Sequence, residues 1–257
     1  MPDELVGWYQ RLPIFALVAS RLAGAISFHP VLSAINVPAR VRGLLVIGLA
    51  ALVTPIITLP TSMPGNLAQL VVALLGEALL GILLGLVLRT VFVALQLAGQ
   101  MISQEAGLAF GELVDPSMGM EETLIGVFYS QLCMAVFLIL GGHRVLMQAT
   151  LGTFQSIPLL SADWALLSDA NVLLDGLSAA LETGVRIAAP VLLALLLTNL
   201  ALGFISRTVP QLNILTLGFA VKGLLAFAVM TAALPAAIDT FLGTLERAVG
   251  WFDGIGR

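Results

Sequence analysis

Two histidines, one cysteine and one lysine are the residues of this 257-residue chain best suited to proton transfer, nucleophilic attack or metal binding. Their spacing supports none of these chemistries. His29 and His143 stand far apart, and no His-Glu-x-x-His pair is present to hold zinc. Cys133 lies in the apolar run Val127 to Leu140. A lone cysteine forms neither an internal disulfide nor a thiolate cage, so it reads as packing. The chain has no Gly-x-Ser-x-Gly nucleophile elbow and no Gly-x-x-x-x-Gly-Lys phosphate loop. These absences argue against an enzyme, and they imply no cofactor, no metal and no catalytic residue.

The remaining chemistry lies in polar groups set among apolar ones. Glu77, Gly81, Gly85 and Arg89 recur every four residues, which places them on one slowly drifting stripe of a helix. Gly81-x3-Gly85 lets another backbone come close, and an unpaired charge in hydrocarbon costs at least about 2.5–3.5 kcal/mol. The stripe therefore reads as subunit packing with polar glue, or as packing within the same chain. Further on, Gln96, Gly99, Gln100, Ser103 and Gln104 share a face opposite Leu95, Leu97, Ala98, Met101 and Ile102. An uncharged polar face either lines a water-filled channel or lies at a helix end in solvent. Asn199, Gly203 and Arg207 repeat the four-residue spacing. Lys222 lies inside an apolar run, where an ionisable group marks a functional site or a structural pair, here with Glu77 or Glu105.

The elements that must position these groups are hydrophobic helices. Apolar residues make up 59% of the chain and charged residues 10%, against about 45–50% and about 25% in an average soluble domain. Lipid or neighbouring subunits must cover such a surface. Apolar runs fall near Leu12 to Phe28, Gly43 to Leu59, Leu67 to Leu88, Leu124 to Leu140, Val185 to Ile205 and Leu212 to Leu234. This predicts about six helices of an all-α membrane protein. Turn chemistry separates them at His29-Pro30, Asn36-Val37-Pro38, Pro60 to Asn66, Asp115-Pro116 and Val209-Pro210. Residues 1–257 read as a single domain. Asp3 and Glu4 precede the first run, unlike the positive start of a cleaved signal peptide, so that segment is expected to stay. The net charge of −4 and the scattered arginines exclude nucleic acid as a partner.

No proline occurs between Gly65 and Asp115, and one helix from Leu67 to Gly111 would be about 67 Å long. That is over twice a hydrocarbon core of about 30 Å. The segment must break near Arg89 or project out of the lipid.

Several ordered blocks resemble the FliR family, subunits of the flagellar type III export gate. They are Arg21 to Arg42 (RLAGAISFHPVLSAINVPARVR), Gly76 to Gly85 (GEALLGILLG), Gly107 to Pro116 (GLAFGELVDP), Phe137 to Pro158 (FLILGGHRVLMQATLGTFQSIP) and Asn199 to Lys222 (NLALGFISRTVPQLNILTLGFAVK). Injectisome export proteins are homologous and share a stretch like Arg207 to Asn213, whereas Leu217-Gly218-Phe219 before Lys222 looks more flagellar. The resemblance implies a non-enzymatic subunit in the bacterial inner membrane at the flagellar basal body. Its partners would be FliP-type and FliQ-type subunits, other flagellar export membrane proteins, membrane lipid and exported unfolded proteins. The helices would be tilted within a helical hetero-oligomeric gate. The resemblance further implies a pore plug at Gly107 through Glu122, including Phe110, Gly111, Leu113, Asp115, Pro116, Met118 and Met120. A stand-alone solute transporter is the competing class, but no internal repeat relates residues 1–128 to 129–257.

Overall fold

A computed structural model describes residues 3–29, 37–57, 63–108, 123–160, 170–208 and 214–254. Seven α-helices and no strand occur among them: α1 (Asp3–Phe28), α2 (Ala39–Val53), α3 (Leu67–Ala106), α4 (Leu124–Ile139), α5 (Gly142–Ser156), α6 (Ala170–Thr208) and α7 (Ile214–Gly254). The expected turn chemistry marks their ends. α1 stops before His29-Pro30 and α6 before Val209-Pro210.

Four helices are long and apolar enough to cross a membrane, over Arg11–Phe28, Leu67–Ala106, Leu174–Thr208 and Leu217–Gly250. A fifth crossing results if α4 and α5 form one broken span. Two expectations need correction. The run Gly43 to Leu59 yields only the 15-residue α2, which is short of the roughly 20 residues a span needs. The second miss is α5, which the apolar runs did not announce.

α3 is one unbroken helix of 40 residues, with no interruption at Arg89. At 1.5 Å per residue it is about 60 Å long. Local chemistry fixes both ends. Asn66 Oδ1 accepts from Gln69 N–H at 2.8 Å, and Gln69 Oε1 accepts from Gly65 N–H at 2.8 Å, so exposed first-turn donors are satisfied. At the other end Gly107 adopts φ +79°, and Leu108 N–H donates to Ser103 O at 2.9 Å. This six-to-one bond with a left-handed glycine is a Schellman stop.

The chain divides into two compact units. The first comprises Met1–Thr90, Gly141–Gly176 and Leu245–Arg257, the second Val91–Leu140 and Leu177–Thr244. In the first, Ile14, Leu17, Val18, Leu22, Ala50, Phe154 and Leu159 form a core flanked by Val46, Leu49 and Val53 of α2. In the second, Phe92 meets Phe137 and Phe241 edge-on at 5.6 and 5.2 Å, an arrangement that favours the ring quadrupoles.

Candidate functional site

Arg21 is fully buried in the first unit, and its Nε and Nη1 are hydrogen-bonded while Nη2 has no partner among the described residues. Nε donates to Glu77 Oε2 at 2.5 Å. Nη1 donates to Thr153 O at 3.2 Å and to Ile157 O at 2.8 Å. The guanidinium carbon stands 4.6 Å from the Phe154 ring centroid. Thr153 and Ile157 are carbonyls at the end of α5, so the cation caps a helix C-terminus whose orphan acceptors and dipole both favour positive charge. The other Glu77 oxygen accepts from Leu160 N–H at 3.1 Å. Leu160 sits at φ 66°, a conformation costing a non-glycine residue roughly 1–2 kcal/mol. One buried ion pair thus ties α1 to α3 and fixes the turn after α5.

Glycine makes that approach possible. A Cβ built on Gly81 would lie 2.0 Å from Arg21 O, and one on Gly85 2.7 Å from Ala25 O. Ser20 Oγ adds a bond to Leu74 O at 2.7 Å. The structure therefore places Glu77, Gly81 and Gly85 against α1 of the same chain, the in-chain alternative for that stripe. Arg89 alone is exposed, with no carboxylate within ion-pair distance among the described residues. Arg21 was missed as a site residue. Its signal was a single arginine inside the apolar run Leu12 to Phe28.

The expected polar face of α3 lies in the second unit and divides in two. Gly99 is buried, its built Cβ only 2.2 Å from Gly126 Cα of α4. Ser103 is also buried, and its hydroxyl has no hydrogen-bond partner among the described residues. Gln100 and Gln104 are exposed, and Gln96 is half-buried. The open polar surface is thus narrower than periodicity implied, because glycine at position 99 serves helix packing.

Neither proposed pairing of Lys222 is present. Glu77 takes Arg21, and Glu105 accepts a hydrogen bond from the Asn199 side-chain amide. Half-buried Lys222 has no carboxylate within ion-pair distance among the described residues. Nearby on α7, Phe219 packs against Gly107, where a built Cβ would sit 2.4 Å from the ring. Of the expected plug, Gly107 and Leu108 are described; Phe110, Gly111, Leu113, Asp115, Pro116, Met118 and Met120 lie outside the described residues. Among the described residues, no three His, Cys, Asp or Glu side chains gather into a possible metal site.

Long apolar helices, a buried ion pair and an uncharged polar strip define a polytopic all-α membrane protein. The chain belongs to the family described as bacterial export proteins, family 1, which it matches over residues 12–248. It is similar to flagellar biosynthetic protein FliR of Escherichia coli (strain K12), 29% identical over 238 residues that cover 89% of this chain and 87% of that protein. The FliR protein of Bacillus subtilis (strain 168) is 30% identical over 227 residues, covering 86% of each chain. Surface presentation of antigens protein SpaR of Shigella flexneri is 28% identical over 150 residues, 58% of this chain and 57% of its own.

Proposed function

We propose that this chain is a non-enzymatic subunit of the flagellar type III protein export gate, in the bacterial inner membrane at the flagellar basal body. It forms part of the channel wall through which unfolded flagellar proteins leave. The observation that carries this reading is the extent of the likeness: the FliR proteins of Escherichia coli and Bacillus subtilis align over 89% and 86% of the chain, the SpaR protein over 58%. That contrast favours the flagellar gate over its injectisome counterpart.

Surface chemistry supports the same reading. Within the spans Leu174–Thr208 and Leu217–Gly250 only 28% and 17% of the residues in the apolar window are buried by the chain itself. Leu193, Leu197, Phe204, Leu224 and Phe227 stand exposed and need cover from lipid or from FliP-type and FliQ-type neighbours. Gln100 and Gln104 supply an uncharged wetted strip, over which an unfolded chain can pass without being held by ion pairs. Arg89 and Lys222, cations without an ion-pair partner among the described residues, are assigned to contacts with those neighbours. The segment from Gly107 to Glu122 is assigned the closing of the resting channel, leaving α3 from the fixed Gly107 stop.

Co-expression with flagellar FliP-type and FliQ-type proteins followed by purification in detergent tests the proposal. A stable complex is expected, and deletion of Phe110 to Met120 is expected to keep that complex while raising its ion conductance. A chain that purifies alone and transports small solutes by itself would overturn the reading.

A further inference from the structure

A recess in the first unit takes no part in export as proposed. α2 has 15 residues, about 22 Å, and α1 has 26 residues, about 39 Å. α2 ends at Val53, where the Thr54 hydroxyl donates back to Ala50 O at 2.6 Å and Pro55 cannot continue the ladder. Beside this early stop a cavity of about 320 Å³ opens, lined by Arg11, Leu12 and Phe15 of α1 and by Ala51, Thr54 and Pro55.

The lining combines two chemistries. Leu12, Phe15, Ala51 and Pro55 are apolar, whereas Arg11 is exposed and directly precedes the apolar run Leu12 to Phe28. With a hydrocarbon core of about 30 Å, that position falls at the level of the lipid headgroups. No carboxylate neutralises Arg11 within ion-pair distance among the described residues. A guanidinium holds phosphate oxygens through a rigid two-pronged fork.

We infer that this recess is a binding site for an anionic phospholipid. The phosphate engages Arg11, and one acyl chain lies along Leu12, Phe15 and Pro55. A zwitterionic lipid fits the apolar walls but brings no net charge to the arginine. Free phosphate brings the charge and leaves the walls bare.

The test uses the full chain in detergent, with its thermal unfolding midpoint followed as phosphatidylglycerol, phosphatidylcholine or inorganic phosphate is added. Phosphatidylglycerol is expected to raise the midpoint in a saturable way, and the other two are expected to leave it unchanged. Arg11→Gln should weaken the apparent affinity for phosphatidylglycerol about tenfold, the loss of one charge-assisted contact. Ala51→Phe, at an exposed position, should do the same by filling the recess. Arg40→Gln, an exposed arginine at the other end of α2, should leave the affinity intact. Equal stabilisation by phosphatidylcholine, a response to inorganic phosphate alone, or a lipid shift that survives either Arg11→Gln or Ala51→Phe would each overturn the assignment.

Discussion

The buried ion pair of the first unit and the open polar strip of the second play different parts. In the first, Arg21 and Glu77 are both buried and answer each other, the end of α5 and the Leu160 turn. In the second, Gln100 and Gln104 are exposed, and Lys222 has no ion-pair partner among the described residues. Charge that a chain completes by itself serves its own architecture. Polar groups left unanswered inside apolar helices are the ones available to neighbours or to a passing substrate.

The strongest way to break this comparison is to remove half of the closed pair. Arg21→Met leaves Glu77 buried without its cation, and a loss of about 3–5 kcal/mol is expected. The double variant Arg21→Met with Glu77→Met should recover much of that loss. Thermal unfolding and membrane yield of the two variants check this, and equal losses for single and double variants would show that the pair is not coupled. Gly81→Ala attacks the same hub sterically. Its Cβ would meet Arg21 O at 2.0 Å, so α1 and α3 must separate, at a cost of about 1–3 kcal/mol. The same assay reads it, and an unchanged midpoint would remove the close approach from the account.

His29, buried just beyond the end of the first span, adds a pH handle to the first unit. Burial, with His143 as the second cause, pushes its pKa down to about 4 from 6.5. The folded state therefore binds fewer protons than the unfolded state between these values. Stability should be full above about pH 6.5, fall as the pH drops towards 4 and level off below. Between pH 6.5 and 5 the expected loss is about 1–2 kcal/mol. Unfolding midpoints across that range should show the slope, and His29→Gln should flatten it.

The smallest expected effect on stability sharpens the contrast from the other side. Lys222→Met removes a charge with no ion-pair partner among the described residues, so the unfolding midpoint should move by less than the equivalent of about 0.5 kcal/mol. Complex yield with the flagellar partners is expected to fall all the same. A large loss of stability in the isolated chain would reassign Lys222 to the architecture.

Much of this division could be read from the residues, and what could not has a physical cause. The long spans α1, α3, α6 and α7 announce themselves through apolar runs and through breaks such as His29-Pro30 and Val209-Pro210. α5 did not, because His143, Arg144, Gln148, Thr150 and Gln155 interrupt its apolar pattern and a distant arginine caps its end. The Glu77, Gly81 and Gly85 spacing marked a stripe open to another backbone, and α1 lies against it. Spacing along one helix cannot say which backbone approaches, and the partner Arg21 stands 56 residues away. The polar face of α3 was legible as a face. Only packing against Gly126 shows that Gly99 belongs to a helix contact.

The central claim is that the remaining open strip serves the passage of exported protein. The most direct measurement is export of flagellar proteins from cells carrying Gln100→Leu with Gln104→Leu, normalised to the amount of co-purified gate complex. Both side chains are exposed, so the account predicts unchanged complex and sharply reduced export. Export per complex equal to that of the unaltered chain would contradict it.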